Sequence, residues 1–194
     1  MAAGAGDELV EIVDEEGRVE RLVPRSTMRA ANLRHRSVAV VVVTNKGDVV
    51  AHRRADWKDV WPGRWDVCFG GVVAVGESWE AAAARELAEE TGVVVDEAAL
   101  RLLGETSYTD ADVSAVGRVF AVAHDGPFRP ADGEVAELVL VPGEELPAWL
   151  EGRPLCPDTA AQIVPLLTDF LSGRGFGGQG TASRGQNTES RRNT

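Results

Sequence analysis

The sequence predicts a mixed α/β domain, and three observations carry that reading. Val38 to Val43 is a run of valines with one alanine, the pattern of a strand covered on both faces. Trp79 to Thr91 is dense in alanine, glutamate and leucine at helical spacing, with Ser78 as a cap and Gly92 where a glycine stop belongs. Thr159 to Leu171 is a second helical stretch, with Asp158 as cap, an apolar stripe and a kink expected at Pro165.

The other elements follow in chain order. Met1 to Gly6 is small and uninformative. Glu8 to Val13 and Arg18 to Val23 read as a hairpin around Asp14-Glu15-Glu16-Gly17, and Pro24 to Leu33 as a short capped helix. After the valine strand, Asn45 to Asp48 turns the chain and Val49 to Arg53 returns as its hairpin partner. Ala55 to Trp65 is a tryptophan-rich loop. Asp66 to Ala74 reads as a strand broken by Gly70 and Gly71, which mark a bulge, a bend or a close approach of backbone. Strands are expected at Val93 to Val95, Leu102 to Ser107, Ser114 to His124 and Glu134 to Val141. Turns or short helices are expected at Asp96 to Leu100 and Glu144 to Leu150. These readings divide the chain into an N-terminal extension with a hairpin (1–34), a core domain (35–172) and a glycine-rich basic tail (173–194).

The chain has 194 residues, enough for one domain with a sizeable core, and a formal net charge of −11 from 20 basic and 31 acidic side chains. Such a field argues against DNA or an anionic membrane as partner, but not against a small anion bound beside a metal ion. No apolar run reaches the roughly 18 residues of a membrane span. The first residues carry no secretory signal pattern, and two cysteines, Cys68 and Cys156, make no disulfide framework, so a reducing cytoplasm is the expected location. The basic tail raises RNA contact as a minor alternative.

The chemistry concentrates between Gly71 and Val93. Glu86, Glu89 and Glu90 stand at i, i+3 and i+4 and so share one helical face, while Ala82, Ala83 and Leu87 face the other way. Three carboxylates together repel one another, and a cation between them removes the repulsion. Oxygen-only ligands favour magnesium or manganese. Arg85 can brace Glu89, Glu77 can fold back toward Arg85 or the metal, and Gly70 and Gly71 leave room for a carbonyl to serve as a further ligand. The competing reading is the solvated face of an acidic helix.

This stretch resembles the Nudix box. Gly71, five residues, Glu77, seven residues, Arg85-Glu86, an aliphatic, any residue, Glu89-Glu90, any residue, Gly92 and an aliphatic match it without a departure. The resemblance implies an α/β/α sandwich around a mixed sheet, and magnesium- or manganese-dependent hydrolysis of a nucleoside diphosphate linked to another group. It implies that Glu86, Glu89, Glu90 and the Gly70 carbonyl bind metal and that Glu77 orients the box. Dimers are common in that family. His35-Arg36, His52-Arg53-Arg54 and Trp61-Pro62-Gly63-Arg64-Trp65 look like the branch that contains isopentenyl-diphosphate isomerase and its hydrolase-like relatives. The isomerases place a cysteine and a histidine where this chain has Gly70 and Val72, and Cys68 falls two residues early. A hydrolase-like member is the expectation.

Supporting residues follow. Arg53 and Arg54 alternate across a strand, so one faces the pocket, where a guanidinium can grip a diphosphate. Lys58 and Arg64 flank the tryptophan loop as further candidates. His35 is read as structural. Trp57, Trp61, Trp65 and Trp79 are read mainly as packing residues. Glu134 is the preferred general base or extra ligand outside the box, ahead of Glu137, with Asp110 and Asp112 as further options. The expected reaction is metal-assisted attack of water on a small-molecule diphosphate, with Glu134 or Glu90 taking the proton. The alternatives are isopentenyl-diphosphate isomerisation and a non-catalytic nucleotide-binding module.

Overall fold

The computed structural model describes residues 8–131, 133–173 and 176. Met1 to Gly6 and nearly all of the basic tail lie outside the described residues, and the RNA expectation lies there with them. Among the described residues no helix is long and apolar enough to cross a membrane.

The valine run is strand β3 (His35–Val43), and the sheet is built around it. The N-terminal hairpin, β1 (Leu9–Val13) and β2 (Val19–Pro24), joins its edge through Ile12 opposite His35. Strand β8 (Ser114–Ala123) runs parallel to β3 along its whole length, from His35 opposite Ala115 to Val43 opposite Ala123. Strand β7 (Arg101–Thr109) is the antiparallel neighbour of β8. Strand β4 (Asp48–Arg54) meets β3 only at Val43 and Val49, so the expected hairpin opens at once. Its real partners are β5 (Trp65–Asp66) and β9 (Val135–Pro142). The sheet splays between β3 and β4, and a cavity fills the opening.

Alternation along β3 supplies both cores. Val38, Val40 and Val42 pack with Phe69, Phe120 and Leu87 beneath helix α2 (Trp79–Thr91). Val41 and Val43 pack on the other face with Ala51, Ala121, Leu167 and Phe170, under α3 (Leu146–Leu150) and α4 (Val164–Ser172). The result is the expected α/β/α sandwich with a mixed sheet. A third cluster of Val10, Ile12, Met28 and Val72 ties the hairpin and helix α1 (Arg25–Ala30) onto the domain.

Three local expectations change. The segment after α2 forms no strand at Val93 to Val95; Val93 is buried against α2, Val94 is exposed, and a 3-10 turn follows at Glu97–Ala99. The last helix opens with a π turn at Thr159–Ile163, where the Val164 amide donates to the Thr159 carbonyl. That wider turn sits directly before Pro165, which has no N–H to give to the regular ladder. Finally, the strand expected from Asp66 to Ala74 breaks at Val67 and Cys68. Gly70 and Gly71 lie inside β6 (Phe69–Val72), paired with Ala39 and Val38.

His35 and His52 are both buried, and burial pushes each imidazole down to about 4 from an ordinary 6.5. The folded protein therefore holds both neutral, while the unfolded chain takes up protons below about 6.5. This stability is present above pH 6.5 and is lost as pH falls toward 4. Urea midpoints measured from pH 7 to 4 are expected to fall more steeply for the wild type than for a His35→Gln/His52→Gln double variant.

Candidate active site

Helix α2 is fixed at both ends by its own sequence. The Ser78 hydroxyl accepts the Ala81 amide at 3.1 Å, and Gly92 takes the left-handed conformation (φ 73°) while its amide donates to the Ala88 carbonyl at 2.9 Å. Ala82, Ala83 and Leu87 are fully buried against the sheet. This orientation turns Glu86, Glu89 and Glu90 toward a cavity of about 900 Å³, lined also by Gly70, Glu77, Arg85, Lys58 and Glu134.

The glycines of β6 let the helix carboxylates touch backbone. A Cβ on Gly71 would sit 2.6 Å from the Glu86 carboxylate, and one on Gly70 would sit 2.0 Å from the Val38 carbonyl oxygen. The Gly70 amide donates to Glu90 at 2.9 Å. Arg85 spans the rest of the box. It gives Glu77 a two-bond fork at 3.0 and 2.9 Å, and also donates to Glu86 at 2.7 Å, Glu89 at 3.3 Å and the Val72 carbonyl at 3.2 Å. Glu77 in turn accepts the Ala74 amide at 3.0 Å, which closes the loop before the helix. Of the two roles open to Glu77 in the sequence, the structure shows the one toward Arg85.

Charge is unevenly shared among these groups. The Arg85 fork holds the Glu77 carboxyl below its usual range. Burial pushes Glu86 up, against the pull of Arg85. Glu90 is pushed up to about 8, first by burial and then by the charge of Glu86, against the Gly70 hydrogen bond. Glu86 and Glu90 are largely buried and Glu89 is exposed, and a set of oxygen donors that repel one another in this way fits a hard divalent cation better than zinc or copper. Among the described residues no three histidine, cysteine, aspartate or glutamate side chains already converge as a finished ligand set. Arg85 occupies the space among Glu77, Glu86 and Glu89.

The remaining candidates divide. Lys58 donates a short bond to Glu134, and both line the cavity. Arg54 lines it too, with one amino group on the Val60 carbonyl at 3.1 Å. Arg53 faces away, paired with Asp56 at 2.8 Å and Glu137 at 4.0 Å, as strand alternation requires. Arg64 does not line the cavity; it donates to the Leu155 carbonyl at 2.9 Å and so anchors the tryptophan loop to the segment before α4. Asp110 is absorbed by a turn, accepting the Asp112 and Val113 amides at 2.8 Å each. His35 reaches the cavity wall, with its ring hydrogen-bonded to the Leu33 carbonyl at 3.0 Å. Trp65 packs edge-on against Trp149, and Trp79 lies between Arg36 and Arg118; Trp61 lines the cavity.

Four further residues on the cavity wall are not singled out by the sequence as site residues. Asp66 accepts from the Cys68 thiol at 3.1 Å and the Thr159 hydroxyl at 2.8 Å. His52 stacks on Phe69, and Arg25 and Arg29 reach in from α1. They come from β4, β5 and α1, so no local spacing groups them with the box.

The NUDIX domain profile matches residues 33–159. The chain belongs to the Nudix hydrolase family, which places it among the pyrophosphohydrolase enzymes. It is 32% identical over 167 residues to the Nudix hydrolase PA4841 of Pseudomonas aeruginosa, covering 86% of this chain and 97% of that one. It is 35% identical over 144 residues to the Nudix hydrolase YfcD of Escherichia coli K12, covering 74% and 79%. The crystal structure of DR0079 from Deinococcus radiodurans superposes with a TM-score of 0.70 at 26% identity, over 82% of this chain and 99% of that one.

Arg85→Lys keeps the charge and removes the fork, so Glu77 and Glu86 lose one or more of their bonds. The expected loss is roughly 1–3 kcal/mol in urea unfolding, reduced toward the lower end by the partial exposure of Arg85.

Proposed function

We propose that the chain hydrolyses a diphosphate linkage in a nucleoside diphosphate derivative or a related organic diphosphate, with magnesium or manganese as cofactor. The observation that carries this reading is that Glu86, Glu89, Glu90 and Gly70 line one cavity together with the cationic side chains of Arg54 and Lys58. Glu86, Glu89, Glu90 and the Gly70 carbonyl are the proposed metal ligands. When bound, the metal supplies Lewis acidity at the phosphoryl oxygens and at the attacking water.

The chain's own residues do the rest. Arg85 and Glu77 keep Glu86 and Glu89 in place while charge changes in front of them. Arg54 and Lys58 face the anionic substrate and stabilise charge that develops on the departing phosphate. Glu134 or Glu90 takes the proton: both line the cavity, and the charge of Glu134 adds to what pushes the Glu90 carboxyl up. Lys58 fixes the Glu134 carboxylate at the wall. Trp61 and Tyr108, edge to face with centroids 6.1 Å apart, offer an aromatic border for a base or other planar group.

Hydrolysis is preferred to double-bond isomerisation within the isopentenyl-diphosphate-isomerase-like branch. Cys68 is buried, its thiol donates to Asp66, and burial together with that carboxylate pushes its pKa well up. A thiol so held is a poor proton relay. Its neighbour Asp66 is already committed to the Val67 amide and the Thr159 hydroxyl.

Glu90→Gln keeps an oxygen for the Gly70 amide and removes the carboxylate. It is expected to retain the melting temperature within a few degrees and to lose at least about 100-fold in activity. Purified protein with magnesium and then manganese, tested on nucleoside triphosphates, sugar nucleotides, dinucleotides, coenzyme A esters and isopentenyl diphosphate, provides the assay. Phosphate release and product mass are read together. Full activity in Glu90→Gln would overturn the assignment.

A further inference from the structure

One buried carboxylate stands off the cavity wall and ahead of residue 33, where the NUDIX match begins. Glu11 sits in the middle of β1, between Val10 and Ile12. Strand alternation sends those two into the apolar cluster with Met28 and Val72, so Glu11 points to the other face of the hairpin. It is only 8% exposed there. A buried carboxylate is costly unless its oxygens are bonded. Both are: Oε1 accepts the Gly76 amide at 3.0 Å, and Oε2 pairs with Arg36 on β3.

The first of these bonds falls on the turn that carries Glu77. Val75, Gly76 and Ser78 are exposed, and Gly76 takes a left-handed conformation (φ 74°), so hydrogen bonds rather than packing set where the turn lies. The tethers follow one another along the chain. The Val73 amide donates to the Arg36 carbonyl at 3.0 Å, Ala74 bridges Val10, and Gly76 meets Glu11. Within the turn the Glu77 amide donates to the Ala74 carbonyl at 3.1 Å. From Glu77 the line continues through the Arg85 fork to Glu86 and Glu89. Arg36 acts along the same line. It lies over Trp79 at the start of α2, and its charge adds to the Arg85 fork in holding the Glu77 carboxyl below its usual range.

We propose that Glu11 is a positioning residue for the divalent cation: through the Gly76 amide and the Arg36 pair it holds the Glu77 turn, and so keeps Arg85, Glu86 and Glu89 in place, without itself touching metal or substrate. This rests on the metal-dependent reading of the box. A slack turn releases the Arg85 fork from Glu77. The guanidinium then moves further onto Glu86 and Glu89 and competes with the cation for their oxygens. Loss of Glu11 therefore weakens metal binding and removes no catalytic group. The N-terminal hairpin, outside the family match, thereby helps to set the affinity for the cation.

The test is manganese binding to the full chain without substrate, read from the electron paramagnetic resonance signal of the free ion. Glu11→Leu/Arg36→Met removes the pair without leaving a buried charge behind, and the exposed Gly76 amide can turn to water. This double variant is expected to bind manganese at least about tenfold more weakly than the wild type, the scale on which outer-shell support acts. Glu11→Gln keeps an oxygen for the Gly76 amide and is expected to fall between. Val141→Ala, in the core on the far face of the sheet, loses stability without reaching the turn and is expected to bind as the wild type does. Melting temperatures show which variants are folded. Wild-type affinity in the folded double variant, or in Glu11→Gln if the double variant does not fold, would overturn the proposal. So would an equal loss in Val141→Ala, because general loosening would then account for both. A wild type that binds no manganese would sink the metal reading and this inference with it. A wild type and double variant that bind equally well would leave the metal reading standing and remove Glu11 from it.

Discussion

The close approach of β6 to β3 on one side and to α2 on the other is the constraint on which the site depends. Two consecutive glycines make it possible. At Gly70 any side chain would collide with the Val38 carbonyl, and at Gly71 it would collide with the Glu86 carboxylate. With both absent, Glu90 reaches the Gly70 amide, and Glu86 lies flat against the strand. The helix is held to the sheet by apolar burial on one face and by carboxylate contact with backbone near the other. The raised carboxyls of Glu86 and Glu90 follow from this, because the same approach that positions them removes their water. Arg85 then limits the cost by placing one guanidinium among Glu77, Glu86 and Glu89.

A second dependence runs through the N-terminal hairpin. Glu11 is buried; it pairs with Arg36 and accepts the Gly76 amide at 3.0 Å, and Val10 bridges Ala74. The loop that carries Glu77 is therefore pinned from below by residues far earlier in the chain. Arg36 also lies over Trp79, 5.2 Å from its ring, at the first turn of α2. The extension is thus part of the scaffold that fixes the box, and it delivers α1 to the cavity rim.

What could be read in the sequence and what could not divides by range. The valine strand, the capped helix and its carboxylate face are local patterns, and each formed as its periodicity requires. The Gly71 to Val93 spacing identified the family because its parts lie on one loop and one helix. The errors came where a neighbour decided. Val49 to Arg53 has the turn of a hairpin, yet β4 leaves β3 after one pair because β9 offers it a longer ladder. Val93 to Val95 has strand composition, but Val93 packs into the core beneath α2 and the segment joins no ladder. Arg64 carries the right charge beside the right loop and is drawn instead to a carbonyl nearly a hundred residues away. Arg25 and Arg29 look like ordinary surface residues of a short helix until β1 and β2 set that helix at the cavity.

The assembled cavity has two electrostatic faces inside a protein whose overall charge is −11. One face gathers Glu86, Glu89, Glu90 and Glu134; the other gathers Arg25, Arg29 and Arg54. Bulk charge repels an anionic substrate at long range, but screening shortens that repulsion to roughly 8 Å at physiological salt. Inside the cavity the local arrangement governs. An anion there gains from the arginines and a divalent cation from the carboxylates, with Arg85 already standing among Glu77, Glu86 and Glu89. Neither face is comfortable alone: buried carboxylates without a cation take up protons, and buried guanidinium donors without an anion stay unmatched. Each ligand also eases the electrostatic demand that the opposite face makes on the other. On the proposed reading, metal and anionic substrate would be coupled through the cavity's own charge distribution, with no change of fold required to connect them.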